Sequence, residues 1–365
     1  MKNNTVCILT MHKENNPGSV LQAYALKKTI ENLGYDVSFL DIEPNAADQQ
    51  LLAGKQLDFS AEKASGQAGQ ADSEAKKAAQ RKKSQVYDAF RKNNLDLDHR
   101  HDHYDTCVIG SDEVFNCMDS GWWGFTSQLF GNVPQADQII TYAATSSATT
   151  LDSLPPLVAK RISETFKNIK AFSVRDEKTK IFVEGLAHRK PEVNVDPVVI
   201  YDFKDEIQNA DLAYPNGKYC LLYSRENRFG KPEEIAAVQA FCKKHDLHLI
   251  SVNASQYWID DHIECDPFEC LKLFENADFV LTDTFHGTLL AAKHADRFGI
   301  VIRPSNQNKL NDLVERFGLQ DHVMHTMDEL EAKLNTPKNK EQIAQNIARE
   351  KERSLAYLKQ NLPKE

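Results

Sequence analysis

At 365 residues the chain is too long for one ordinary core and suits two domains. Its formal net charge of −9 argues against a nucleic-acid partner, although local Arg and Lys can still hold small anions on an acidic protein. The apolar run Val6 to Met11 is too short for a secretory leader and no window would span a bilayer, so a cytoplasmic protein is expected.

Thr5 to Thr10 is a buried-strand candidate, and Met11 to Pro17 a polar loop. A helix opens at Gly18-Ser19, with Val20, Leu21, Tyr24, Ala25, Ile30 and Leu33 at helical spacing, Ser19 as its N-cap and Gly34 as its stop. Tyr35 to Leu40 is the next strand, so the chain starts as a βαβ unit with a parallel sheet. Residues 45–84, rich in Ala, Gln, Lys, Ser and Glu, break the pattern; a mobile insertion or a loosely held helix is expected there rather than a lid.

Strands follow at 105–110, 138–144, 171–174 and 193–195, each ending in small or polar residues: Ser111-Asp112, Thr145-Ser146, Arg175-Asp176 and Asp196-Pro197. Carboxyl ends that finish this way are expected to line one cleft. A second α/β series begins near residue 217, with strands at 218–223, 248–252, 277–282 and 299–303 and helices at 232–245, 267–276, 287–293 and 311–317. A charged helix closes the chain near 340–361. The expected organisation is an α/β fold of two Rossmann-like domains, 1–200 and 215–330, facing a central cleft as in one large glycosyltransferase class.

The candidate chemistry sits at strand ends. His286 lies between the strand ending Thr282-Asp283 and the helix after Gly287, which puts a titratable group where open α/β sheets bind ligands. A lone His is more often bonded to a backbone carbonyl, but its place beside Asp283 favours function. Asp112 in Gly110-Ser111-Asp112-Glu113 suits a base or a ligand for sugar hydroxyls, or else a helix cap. Arg175 offers a planar fork for carboxylate or phosphate, or pairs internally with Asp176 or Glu177. Arg225, Arg228, Arg303 and Lys309 are further cations at loop positions, and Gly18-Ser19 is either an anion site at a helix start or a simple cap. The adjacent Trp122 and Trp123 stack on sugars or merely pack. The seven cysteines, odd in number and without CxxC spacing, read as buried reduced thiols, and no metal site is expected.

These motifs in order resemble the polysaccharide pyruvyl transferase family: Gly18 to Leu26, Val108 to Asn116, Tyr142-Ala143-Ala144, Ser173 to Asp176, Val195-Asp196-Pro197 and Asp278 to Thr288. The resemblance implies a glycosyltransferase-B-like fold. It also implies transfer of the pyruvyl unit of phosphoenolpyruvate, as a ketal, to a sugar of a polysaccharide or its lipid-linked precursor. Its implied site has His286 and Asp112 as catalytic groups and Arg175, Ser19, Gly18, Ser111, Arg225, Arg303 and Lys309 as substrate ligands, with no cofactor beyond the donor. Some members carry an Arg, expected to hold the donor's anionic groups, where this chain has Thr284; Arg225, Arg303 or Lys309 is then expected to supply that charge. A lipid-linked acceptor would bring the protein to the inner membrane face as a peripheral contact. The rival expectations are a nucleotide-sugar glycosyltransferase and a non-catalytic glycan-binding member.

Overall fold

A computed structural model describes residues 4–52, 73–118, 121, 123–212 and 217–363. Strands β1 (Thr5–Leu9), β2 (Asp36–Leu40), β3 (Tyr104–Ile109), β4 (Ala136–Thr141) and β5 (Ile169–Ala171) form a parallel sheet in the order β2-β1-β3-β4-β5. A short parallel pair, β6 (Ser173–Val174) with β7 (Glu192–Val193), continues it through bridges from Val174 to Ala144 and from Ala144 to Asp112. Strands β8 (Tyr219–Tyr223), β9 (His248–Val252), β10 (Asp261–Ile263), β11 (Phe279–Thr282), β12 (Phe298–Val301) and β13 (Val323–Met324) make a second parallel sheet, ordered β10-β9-β8-β11-β12-β13. The architecture is therefore α/β with two parallel sheets, as the motif order implied.

The helices among the described residues are α1 (Pro17–Glu31), α2 (Ala46–Leu52), α3 (Ser73–Asn94), α4 (Pro156–Thr165), α5 (Glu177–Ala187), α6 (Pro197–Ile200), α7 (Lys204–Asn209), α8 (Pro232–Lys244), α9 (Pro267–Asn276), α10 (Phe285–His294), α11 (Gln307–Phe317), α12 (Leu330–Asn335) and α13 (Lys340–Asn361). Helix α1 is buried on almost every side, because it packs on the first sheet and also against α6 and α9. One core accordingly runs through both halves, joining Ile8, Leu21 and Tyr24 to Val199, Leu273, Phe285 and Leu290. Helix α13 returns to the first half: Tyr357 donates to the Thr141 carbonyl at 2.9 Å, and Ser354 Oγ accepts from the Val195 amide at 3.1 Å.

Of the two forms expected for 45–84, helix is the one seen over nearly all of its described residues. Residues 46–52 form α2 and 73–84 belong to α3, while 53–72 fall outside the described residues. Its Ala, Lys, Gln and Glu are strong helix formers, and two aromatic anchors sit just past its end. Tyr87 and Phe90 are buried, Phe90 meets Phe268 edge-on at 4.7 Å, and Lys83 Nζ donates to the Asn253 carbonyl at 2.6 Å. Helix α3 thus straps the two halves together. Phe90→Ala should destabilise the protein by about 3–5 kcal/mol in urea unfolding; a change within experimental error would show that α3 does not belong to the common core.

Candidate functional site

The carboxyl ends of β3, β6 and β11, together with the segment after β7, deliver polar side chains to one point between the two halves. After β3, Gly110 takes φ +118°, and a Cβ there would strike the Tyr142 carbonyl, so only glycine makes this turn. Asp112 follows at φ 72° and heads no helix, which rules out a helix-capping role. Its Oδ2 accepts from Ser19 Oγ at 2.7 Å, and its Oδ1 lies 3.7 Å from Arg175 Nη2. Arg175, at the end of β6, bonds neither Asp176 nor Glu177. Asp176 instead caps α5 through the Thr179 amide at 2.8 Å.

The decisive partner is Asp196. Its Oδ1 accepts from the Val198 amide at 3.1 Å, capping α6. Its Oδ2 receives Arg175 Nη1 at 2.6 Å and faces His286 Nε2 at 3.3 Å. The side chains of Asp196, Arg175 and His286 are 0%, 3% and 13% exposed. Burial alone would raise the Asp196 pKa, but His286, Arg175 and the Val198 amide outweigh it and bring the carboxyl down to about 2. An ionised carboxylate only accepts, so Nε2 of His286 carries the proton in this contact. The Arg175 guanidinium also lies over the Phe285 ring, 4.2 Å from its centroid. Ser19, Asp112, Arg175, Asp196 and His286 therefore form one unbroken polar line from α1 to α10.

His286 is held from both ends. Thr284 caps α10, its Oγ1 accepting from the Gly287 amide at 3.0 Å. On the other side the ring rests on Gly18, where a Cβ would overlap it.

The model of the polysaccharide pyruvyl transferase family matches residues 16–295, which includes every motif just described. The chain belongs to the polysaccharide pyruvyl transferase family. No curated protein matches it significantly. Among solved structures it is similar to the UDP-GlcNAc 2-epimerase of Methanocaldococcus jannaschii in complex with UDP-GlcNAc and UDP, at 12% identity and TM-score 0.47, covering 97% of this chain and 99% of that one. It is also similar to the UDP-N-acetylglucosamine 2-epimerase of Rickettsia bellii, at 10% identity and TM-score 0.45, covering 98% of each chain.

Within this pyruvyl transferase fold several sequence expectations need correction. Asp283, three residues before His286 in the sequence, faces away from it and binds Ser224 Oγ at 2.7 Å and Arg303 Nε at 3.0 Å. Arg303 also binds Glu234 and covers the Phe229 ring, so two carboxylates already balance its charge. Ser111 is fully buried and donates its hydroxyl to the Ala143 carbonyl at 2.9 Å, which takes it out of reach of a ligand. The start of α1 offers no spare amides at Gly18 and Ser19. Asn16, not Ser19, is the N-cap and takes the Ser19 amide at 2.9 Å, while the Gly18 amide faces the Tyr223 hydroxyl. Ser19 contributes its hydroxyl to Asp112 instead. Trp123 is buried as packing, and Trp122 lies outside the described residues.

Lys309 and Arg225 do reach the site, by way of a residue given no role from the sequence. Glu113 accepts from Lys309 Nζ at 2.8 Å across the two halves. Burial pushes the Glu113 carboxyl up, but Lys309, Arg225 and Arg175 together hold it well below the usual carboxylate range. Arg225 itself is exposed, and no hydrogen bond to its side chain is found among the described residues. Glu14, on the polar loop before α1, is raised by burial and by the charge of Asp112, partly offset by Arg91. Asp196, Glu113 and Glu14 went unassigned because their partners lie on distant segments. The sequence signals were Asp196 within the Val195-Asp196-Pro197 motif and Glu113 within Val108 to Asn116, whereas Glu14 lay in no motif.

Two outcomes are expected. Gly18→Ala should leave the fold intact and cut turnover about 10²-fold, since displacing a reacting group by an ångström costs that much; unchanged kinetics would mean that Gly18 does not position His286. A double-mutant cycle of Glu113→Gln with Lys309→Met should show coupling of about 1–2 kcal/mol in unfolding experiments. A carboxyl with a depressed pKa stabilises the fold fully above its ordinary value and progressively less as pH falls below it. The coupling should therefore be constant above about pH 5 and shrink below it. Coupling near zero at neutral pH would contradict the pairing.

Proposed function

We propose that this chain moves the pyruvyl group of phosphoenolpyruvate onto a sugar of a polysaccharide or its lipid-linked precursor, forming a ketal. The observation that carries this reading is the buried line Arg175–Asp196–His286 in a member of the pyruvyl transferase family. In the reaction, one sugar hydroxyl adds to C2 of the donor, its proton passing to Asp112, while C3 takes a proton and becomes a methyl group. The C2–O bond to phosphate then breaks, and a second hydroxyl closes the ketal and gives up its proton. Inorganic phosphate leaves, and no oxidant or reductant is needed.

His286 is the acid in this scheme. As the acid its ring is doubly protonated: the Nε2 proton stays on Asp196, which compensates the ring's charge, and the ring's other proton goes to C3 or to the departing phosphate. Asp112, bonded to Ser19 and beside Arg175, is the group that receives a sugar hydroxyl. Arg225, Arg175 and Lys309 supply positive charge for carboxylate and phosphate. Arg175 and Lys309 are engaged with Asp196, Asp112 and Glu113, so donor binding exchanges those carboxylates for the donor's own. No helix among the described residues is long and apolar enough to cross a membrane. A lipid-linked acceptor would be met as a peripheral contact at a membrane face.

Phosphoenolpyruvate should raise the melting temperature where UDP- and GDP-sugars do not. Mass spectrometry should find pyruvylated product among candidate glycan acceptors, with phosphate released in equal amount. His286→Ala should keep the fold and lower transfer about 10²–10⁴-fold. Stabilisation by a nucleotide sugar alone would favour glycosyl transfer instead. Glycan binding that survives His286→Ala with its cellular function unchanged would favour a binding protein.

A further inference from the structure

Away from that junction, Asp36, His99 and His101 come together, although the sequence reading expected no metal site. Their ligand atoms all lie within 4.8 Å of one another. His99 Nε2 is 2.6 Å from Asp36 Oδ1, and His101 Nε2 is 2.9 Å from Asp36 Oδ2. The convergence has a backbone cause. The segment before β3 has no regular secondary structure, and it turns both histidines toward Asp36. Arg100, between the two histidines, points elsewhere and binds Asp41 at 3.0 Å. Asp36 opens β2, and Tyr104, whose hydroxyl accepts from the His101 amide at 3.0 Å, opens β3. The cluster thus sits at the amino ends of the strands, whereas His286, Arg175 and Asp112 follow strand carboxyl ends.

We propose that Asp36, His99 and His101 form a binding site for a first-row divalent transition metal such as zinc. Two imidazoles and one carboxylate are the donor set that zinc uses in open sites, with bonds of about 2.0–2.2 Å. Tetrahedral geometry at those lengths places donor atoms about 3.3 Å apart, a small opening of the two His–Asp contacts of 2.6 and 2.9 Å. The ion takes the place of the Nε2 protons that now bridge to Asp36. All three side chains are about one-third exposed, at 29%, 38% and 31%, which leaves room for water to complete the coordination. Oxygen-preferring Mg²⁺ and Ca²⁺ do not suit two imidazoles. The bound metal fastens the segment leading into β3 to the edge strand β2 and takes no part in group transfer.

Titration calorimetry of the untagged full-length chain with ZnCl₂ tests this directly. One equivalent should bind, the melting temperature should rise with zinc, and Co²⁺ should give the visible absorption of a nitrogen- and oxygen-ligated site. His99→Gln with His101→Gln should abolish the stoichiometric phase while circular dichroism stays unchanged, and Asp36→Asn should weaken it. MgCl₂ should produce none of these effects. Absence of zinc binding to the parent chain, or a stoichiometric phase retained in the double variant, would overturn the proposal.

Discussion

A carboxylate with no exposed surface holds this molecule's two halves in register. Asp196 is fully buried and still ionised, a state that costs several kcal/mol unless charges of opposite sign surround it. Arg175 supplies one such charge from the same half, and the His286 ring, at the first turn of α10, supplies a polarised N–H from the other. Removing Arg175 leaves an uncompensated charge in the core, whereas removing His286 takes one hydrogen bond from Asp196 and leaves its ion pair in place. This gives the two sheets one favoured relation. Lys293, at the far end of α10, repeats the device. It donates to the carbonyls of Val198 and Tyr201, two to five residues after Asp196, and burial lowers its pKa to about 8. Both ends of α10 are thereby tied to the segment that leaves the first half.

Stability and chemistry share this cluster. The same contacts that fix the halves point the His286 proton at a single acceptor, stack Arg175 on Phe285 and draw Ser19 to Asp112. A site built this way is preorganised, because its polar groups are oriented before a ligand arrives. Arg175 and Lys309 are also already engaged, so an anionic ligand reaches them by exchanging one carboxylate for another. Glu113 and Lys309 are placed for such an exchange. They meet across the junction, are only partly buried, and stand near the exposed Arg225.

Much of this was legible in the sequence because it rests on local pattern. Periodicity placed β1, α1, β8, β9 and α9 nearly to the residue, and the strand-end motifs marked Asp112, Arg175 and His286. Partnership was not legible. Asp283, three residues before His286, looked like its companion, yet the turn into α10 aims that carboxylate at Arg303, and the real companion lies 90 residues earlier. Ser19 looked like a cap because it stands where the helical spacing begins; Pro17 at the first helical position moved the cap back to Asn16. The 45–84 stretch looked mobile because its own residues bury little, and the anchors that make α3 part of the core, Tyr87 and Phe90, fall just beyond it. His99 and His101 met Asp36 only once the chain had crossed the sheet, which no spacing rule expresses.

The central claim is that Asp196 holds a proton-bearing His286 between the two halves. Nitrogen-15 NMR of the histidine rings, with His286 assigned from the spectrum of His286→Gln, tests it most directly. The account predicts a slowly exchanging Nε2–H signal for His286 that shifts and loses protection in Asp196→Asn. A His286 signal that exchanges freely with water, or one that Asp196→Asn leaves unchanged, would contradict it.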